Sequence, residues 1–323
     1  MEDSKAQLSS GYAMGPPWLF KGSALYQLHL VKAEVARAFI PKDFKLVEAF
    51  GYTLGGFFLA CYDDSPVGRF DELVVIAGIV WNPPTSCAWA ARVLVSKEEA
   101  CRHGCKEIGL PSHVGIFSKQ KSAEVREKST SMYSSFLNMI GITSSSRKEH
   151  TEVKISEVND SNIMSLCSIS IPYLEPKLLG DNKWMGPKIR MSLPSFSGRT
   201  IHNPLLLKYA CQIECRRSAV ADKRAAGGRW VASSRMRAVM VAKVSGPGAN
   251  KSDDDDKPCV DRLNNNTLTE NKNWNRCISI LLSKPVLALE FNFLKMRVNA
   301  PTVVASPHQI NVAENTSSCF RNS

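Results

Sequence analysis

The sequence predicts a mainly antiparallel β domain of the α+β class. Stretches such as Ala24–Val31 and Val286–Val298 alternate apolar and polar residues with the period of two that half-buried strands show. The strand-like runs follow one another across short connections, which suits antiparallel pairing better than βαβ crossovers. Helical patterns are few and brief. At 323 residues, with 44% hydrophobic and 22% charged residues, the chain is long enough to bury a sizeable core, as one large or two smaller domains.

Residues 1–15 are polar and are expected to be flexible. Gly15–Phe20 is a rigid entry whose aromatic residues pin the terminus to the body. Ala24–Val31 is the first strand, followed by a short Ala-rich helix, Lys32–Phe39, that Pro41 closes. Phe44–Tyr62 reads as one or two strands, with Gly51, Gly55 and Gly56 permitting a bend or bulge. Asp63–Gly68 is a turn. Leu73–Trp81 is apolar on both faces and forms a central, covered strand that Asn82-Pro83-Pro84 stops. Thr85–Val95 is another strand, and Ser96 has the chemistry to cap a helix over Lys97–Gly104, with Glu98 and Glu99 in its first turn.

Gly104–Val114 places a Gly/Pro turn between a helix end and a strand start, with Ser112 and His113 just beyond it. Residues 118–150 form a polar excursion. Strands resume over Glu152–Val158, Ile163–Ile171, Pro187–Leu193 and Leu205–Cys215. The segment 217–237 is atypical: Arg216–Arg237 carries seven basic residues against Asp222 and shows no period of 2 or 3.6. Loop 247–275 holds the acidic run Asp253–Asp256. Arg276–Leu282 and Val286–Val298 are read as the last strands, the latter with Leu287, Leu289, Phe291 and Phe293 on one apolar face. Residues 306–323 are a flexible tail.

Charge and cysteine content exclude several partners. The net charge of +11 is concentrated: ten Lys/Arg against Glu214 and Asp222 lie between Arg199 and Lys243. Only Tyr209 and Trp230 accompany them, so no nucleic-acid reader is expected. The longest apolar run, Leu73–Trp81, is far short of the ~20 residues that span a bilayer, so no transmembrane segment is expected. Ten cysteines with irregular spacing and no CxxC pair read as free thiols in a reducing compartment. The N-terminal residues read as neither a secretory signal nor a transit peptide.

Several longer strings carry a resemblance. Trp18–Tyr26, Phe50–Phe57 and Asp71–Val75 resemble the acetoacetate decarboxylase-like superfamily. Trp81–Val93, Trp184–Pro187 and Met191–Gly198 are similar, more narrowly, to a plant branch of it whose loss gives neoxanthin deficiency. The resemblance covers residues 15–216 and 238–305. It implies a single domain over 16–305, folded as a cone-shaped antiparallel β-barrel with a few peripheral helices and an internal ligand cavity. It also implies a role in forming neoxanthin, a carotenoid that feeds abscisic acid synthesis. The implied partner is a lipophilic small molecule of the xanthophyll class or a carotenoid-pathway protein, with no cofactor. The pathway implies the plastid, although without a visible transit peptide the cytoplasm stays open.

Decarboxylases of this superfamily attack a ketone with a lysine amine that a neighbouring cation keeps neutral. Here the matching positions hold Ser112 and His113, so no iminium forms there. The resemblance puts Ala24 where the family has a cavity arginine and Glu72 at the family's cavity carboxylate. Glu72 is also an acid opening an apolar strand, which must face water or be paired. His113 has two readings, a cavity-facing acid/base and an ordinary partly buried histidine. Trp81, Trp89 and Phe57 are candidates for lining a carotenoid-sized groove, with core packing as the alternative. Cys101/Cys105 and Cys211/Cys215 repeat an i, i+4 spacing but read as idle thiols, so no metal site is expected. Three functions stay open: a binding or accessory protein, an acid/base isomerase of the violaxanthin epoxide using Glu72 and His113, and a decarboxylase or hydrolase of another small substrate.

Overall fold

The computed structural model describes residues 11–124, 148–159, 162–172, 185–218, 235–247 and 265–304. The strands are β1 (Trp18–Lys32), β2 (Tyr52–Asp64), β3 (Phe70–Asn82), β4 (Thr85–Val95), β5 (Ser112–Glu124), β6 (Lys148–Asn159), β7 (Asn162–Pro172), β8 (Met185–Gly198), β9 (Leu206–Ser218), β10 (Arg235–Val239), β11 (Lys243–Ser245), β12 (Lys284–Val298) and β13 (Thr302–Val303). The helices are α1 (Ala33–Arg37), α2 (Glu98–His103), which widens into a π turn over Gly104–Ile108, and α3 (Asn265–Leu281).

Seven strands close into a ring in the order β4-β3-β2-β1-β12-β9-β8. The closure is a short parallel contact between β4 and β8, Ala88 opposite Ser195 and Trp89 opposite Phe196. A flap of β5, β6, β7 and β11 continues outward from β4. The mainly antiparallel barrel with few helices is thus the architecture that the sequence predicts.

Each ring strand feeds two cores, because successive side chains point to opposite faces. Inside the ring, Ala24, Phe58, Tyr62, Phe70, Phe291 and Met296 pack together. Outside it, Leu25, Phe57, Leu73, Val75 and Trp89 pack with flap residues such as Ile155 and Leu166 and with the apolar stripe of α3. That stripe is Trp274, Cys277 and Leu281, spaced i, i+3 and i+7.

Several expectations are corrected. Arg276–Leu281 belongs to α3 and not to a strand, with Leu282 just past its end; the stripe extends back to Trp274, and helical spacing over that length outweighs the local alternation Ile278-Ser279-Ile280. The apolar face of β12 changes registry at Asn292–Phe293, which together oppose Ser23. This bulge gives Phe293 a φ of 54° and turns it outward, and the inward set resumes at Leu294, Met296 and Val298. Ser96 does not cap α2: its Oγ accepts from the Asp71 N–H across the β3–β4 hairpin. The 118–150 excursion is narrower, since β5 runs to Glu124 and β6 starts at Lys148. Part of the terminus expected to be flexible forms a 3-10 turn, Gly11–Met14, tied by Gly11 N–H to the Pro66 carbonyl. Of the atypical segment, 235–237 enters β10 and Arg237 pairs with Glu290. Residues 219–234, the Asp253–Asp256 run and the 306–323 tail lie outside the described residues.

Candidate functional site

The inward faces of the ring enclose a cavity of about 140 Å³ at the end that α2 caps. Its wall is largely aromatic, with Trp18 and Phe20 from β1, Phe58 and Tyr62 from β2, and Phe70 from β3. On β3 the residues Phe70, Glu72, Val74 and Ile76 all line it, so strand alternation alone aims the Glu72 carboxyl inward. Tyr62, fully buried, donates its hydroxyl to Glu72 Oε2 at 2.7 Å. Burial raises the Glu72 pKa by disfavouring the anion, and the Tyr62 hydrogen bond offsets part of that rise. Burial also raises the hydroxyls of Tyr26, Tyr62 and Tyr209 and pushes the Cys211 thiol up to about 12. The cavity therefore favours neutral groups.

A second group of polar atoms belongs to His103, on the last turn of α2. Its ring stacks on Tyr12 at 3.7 Å between centroids and meets Trp18 edge-on at 4.5 Å. Burial lowers the His103 pKa to about 4, so the imidazole is neutral near pH 7. Its Nε2 and the Trp18 Nε1–H are buried with no hydrogen-bond partner among the described residues. An unmet buried polar atom costs about 1–3 kcal/mol, which a ligand oxygen would recover. Tyr12, Trp18 and His103 also border an outer depression of about 370 Å³ with Glu99, Arg102 and Lys106, so they form the wall between cavity and surface.

Of the residues singled out in the sequence, Glu72 and Ser112 line this cavity together. His113, Trp81, Trp89 and Phe57 do not. His113 follows Ser112 on β5 and so faces the other side, where its Nδ1 lies 3.1 Å from Glu157 Oε1. Glu157 is fully buried and takes two further bonds from Arg92, at 2.5 and 2.6 Å. Phe57 and Trp89 are in the outer core, where Trp89 meets Phe44. Trp81 sits at the far rim of the barrel, 49% exposed. Among the described residues no lysine lines the cavity; Lys119 is held by Asp71 at 2.5 Å and Lys106 is on the surface. Sequence reasoning passed over Tyr62, Tyr12 and, as a cavity residue, His103; the aromatic richness of Tyr12–Phe20 was the only signal for the last two. Among the described residues no group of three or more His, Cys, Asp or Glu side chains could hold a metal ion.

No family model matches the sequence. Protein NEOXANTHIN-DEFICIENT 1 of Solanum lycopersicum is 56% identical over 305 residues, covering 92% of this chain and 95% of that protein. The chain belongs to the NEOXANTHIN-DEFICIENT 1 family. Its Arabidopsis thaliana member is 51% identical over 308 residues, covering 94% of this chain and 99% of that one. A solved acetoacetate decarboxylase from Legionella pneumophila shares 13% identity, with a TM-score of 0.46 over 90% of this chain and 88% of that one. Among the described residues, the cavity carries a hydroxyl at Ser112 and no lysine amine.

Proposed function

We propose that this chain serves neoxanthin formation by holding the end ring of a xanthophyll, without a covalent bond, in the barrel cavity. The pathway comes from the names of its relatives. The ring comes from the cavity: its aromatic wall and volume of about 140 Å³ suit one six-membered ring. An apolar cavity of about 150 Å³ takes a benzene-sized ligand. An oxygen on the bound ring meets either the Glu72–Tyr62 pair or the unmet Trp18 and His103 nitrogens. The polyene tail stays outside this volume.

One observation favours a second reading, the isomerase. A carboxyl kept towards its neutral form, as Glu72 is, can protonate an epoxide oxygen. Opening the ring to the allenic alcohol then needs a base to take the vinylic proton, and His103 is the neutral imidazole on this cavity. His113 cannot take that part, facing the Glu157 side as it does.

Purified protein titrated with violaxanthin distinguishes these readings. Saturable quenching of tryptophan fluorescence, weakened in Trp18→Phe, supports ring binding; no quenching and no retained carotenoid refutes it. Neoxanthin produced by the protein alone, and lost in Glu72→Gln, establishes the isomerase. Conversion that persists in Glu72→Gln removes Glu72 as the acid.

A further inference from the structure

The barrel end opposite the cavity is apolar and uncovered by any described residue. Ala49 and Tyr52 exchange both backbone hydrogen bonds, at 2.9 and 3.0 Å, and close a two-residue turn over Phe50 and Gly51. Both turn residues have positive φ, 52° and 78°. Asn or Gly takes the first position of such a turn at little cost, whereas a bulky side chain is disfavoured there. Phe50 is nevertheless there, and it is 100% exposed. It adds nothing to the core and sits on unfavourable backbone, so folding does not account for it.

Its surroundings extend the pattern. Leu54 is 42% exposed and is paired with Leu30 of β1; Leu287 is 40% exposed and is paired with Leu28. Trp81 ends β3 at this rim, and Met240, just past β10, is 61% exposed. Along β1 the inward side chains Tyr26, Leu28 and Leu30 run from the cavity to this rim without a polar break. Lys45, whose carbonyl accepts from the Trp81 N–H, and Lys284, opposite Leu30, are exposed here with no acidic partner among the described residues. The nearby acids are already engaged, Glu34 with Lys32, Glu48 with Arg37 and Asp43 with Arg199.

We propose that this rim docks on an anionic lipid bilayer, with Phe50 and its apolar neighbours entering the headgroup region and Lys45 and Lys284 facing lipid phosphates. An exposed apolar patch ringed by uncompensated cations is the chemistry of such a surface. Trp81 is of the residue type that favours that interface. The proposal stands whether or not the cavity holds a xanthophyll.

Co-sedimentation of the full chain with phosphatidylcholine vesicles, with and without phosphatidylglycerol, tests it. Expected is binding to the anionic vesicles that falls with added salt. Phe50→Asn should bind about tenfold more weakly, from the loss of one inserted aromatic side chain, with a Tm no lower than the parent. Charge reversal at Lys45 and Lys284 should remove the dependence on phosphatidylglycerol. Absence of binding to either vesicle overturns the proposal, as does Phe50→Asn that binds like the parent. A concentration-dependent dimer that Phe50→Asn dissociates, with no vesicle binding, assigns the rim to a second copy and overturns it too.

Discussion

Glu157→Gln tests the account of the barrel's outer side most directly. The parent carboxylate is fully buried, bonded twice by Arg92 and approached by His113 at 3.1 Å. Desolvation pushes its pKa up, but the His113 and Arg92 interactions outweigh it and hold the pKa at about 2 against an ordinary 4.5. That difference is worth about 3 kcal/mol at neutral pH. Removing one member of a buried ion pair costs about 3–5 kcal/mol, which agrees. The folded pKa is depressed, so the contribution is complete above about pH 4.5 and is lost as pH falls towards 2. Urea unfolding followed by tryptophan fluorescence should show a gap of about 3 kcal/mol between parent and variant at pH 7, and under half of that at pH 3. A gap below about 1 kcal/mol at pH 7, or one that does not shrink on acidification, would refute the view that Glu157 is an ionised, paired group holding flap to ring.

His113→Asn should lose stability and keep full violaxanthin quenching of tryptophan, because the imidazole faces Glu157 and not the cavity; loss of quenching in a folded variant would return it to the site. Tyr62→Phe removes the hydrogen bond that lowers the Glu72 pKa, so an infrared titration of the Glu72 carboxyl should move to higher pH, at a stability cost of about 1 kcal/mol. Gly104→Ala would set a Cβ 2.6 Å from Ser112 Oγ, a hydroxyl that can turn aside, and should cost at most about 1 kcal/mol in thermal unfolding. Most of that loss should be recovered in Gly104→Ala/Ser112→Gly; no recovery would place the clash elsewhere.

Strands with clean alternation were legible from residues alone. β1 shows it from Ala24 on, and the apolar run of β3 reads as a covered strand because both of its faces are packed. The β12 bulge was not legible, since it depends on how Asn292 and Phe293 meet Ser23 of a partner strand far away in the chain. α3 was misread because its flank, Ile278 to Ile280, alternates by itself, and only the outer core selects the helical stripe through Trp274. In the site, Glu72 stood out as an acid at the opening of an apolar strand. His103 did not, because the wall that shapes its chemistry is built by Tyr12 and Trp18, far earlier in the chain. Ser112 and His113 were adjacent letters, and the strand's own pleat decided which of them meets the cavity.

The contact that shuts the ring joins only two residue pairs, Ala88 with Ser195 and Trp89 with Phe196; the β9–β12 seam joins three, and the β1–β2, β1–β12, β3–β4 and β8–β9 seams run most of the length of their strands. Ala88 and Ser195 also face the cavity. The barrel is therefore fastened by a clasp and not by a weld. A stiff, elongated molecule entering end-on must push aside the stacked rings of Tyr12 and His103, whereas one laid in from the side needs only that clasp to part. Amide exchange at residues 88–89 and 195–196 reads out how often it does.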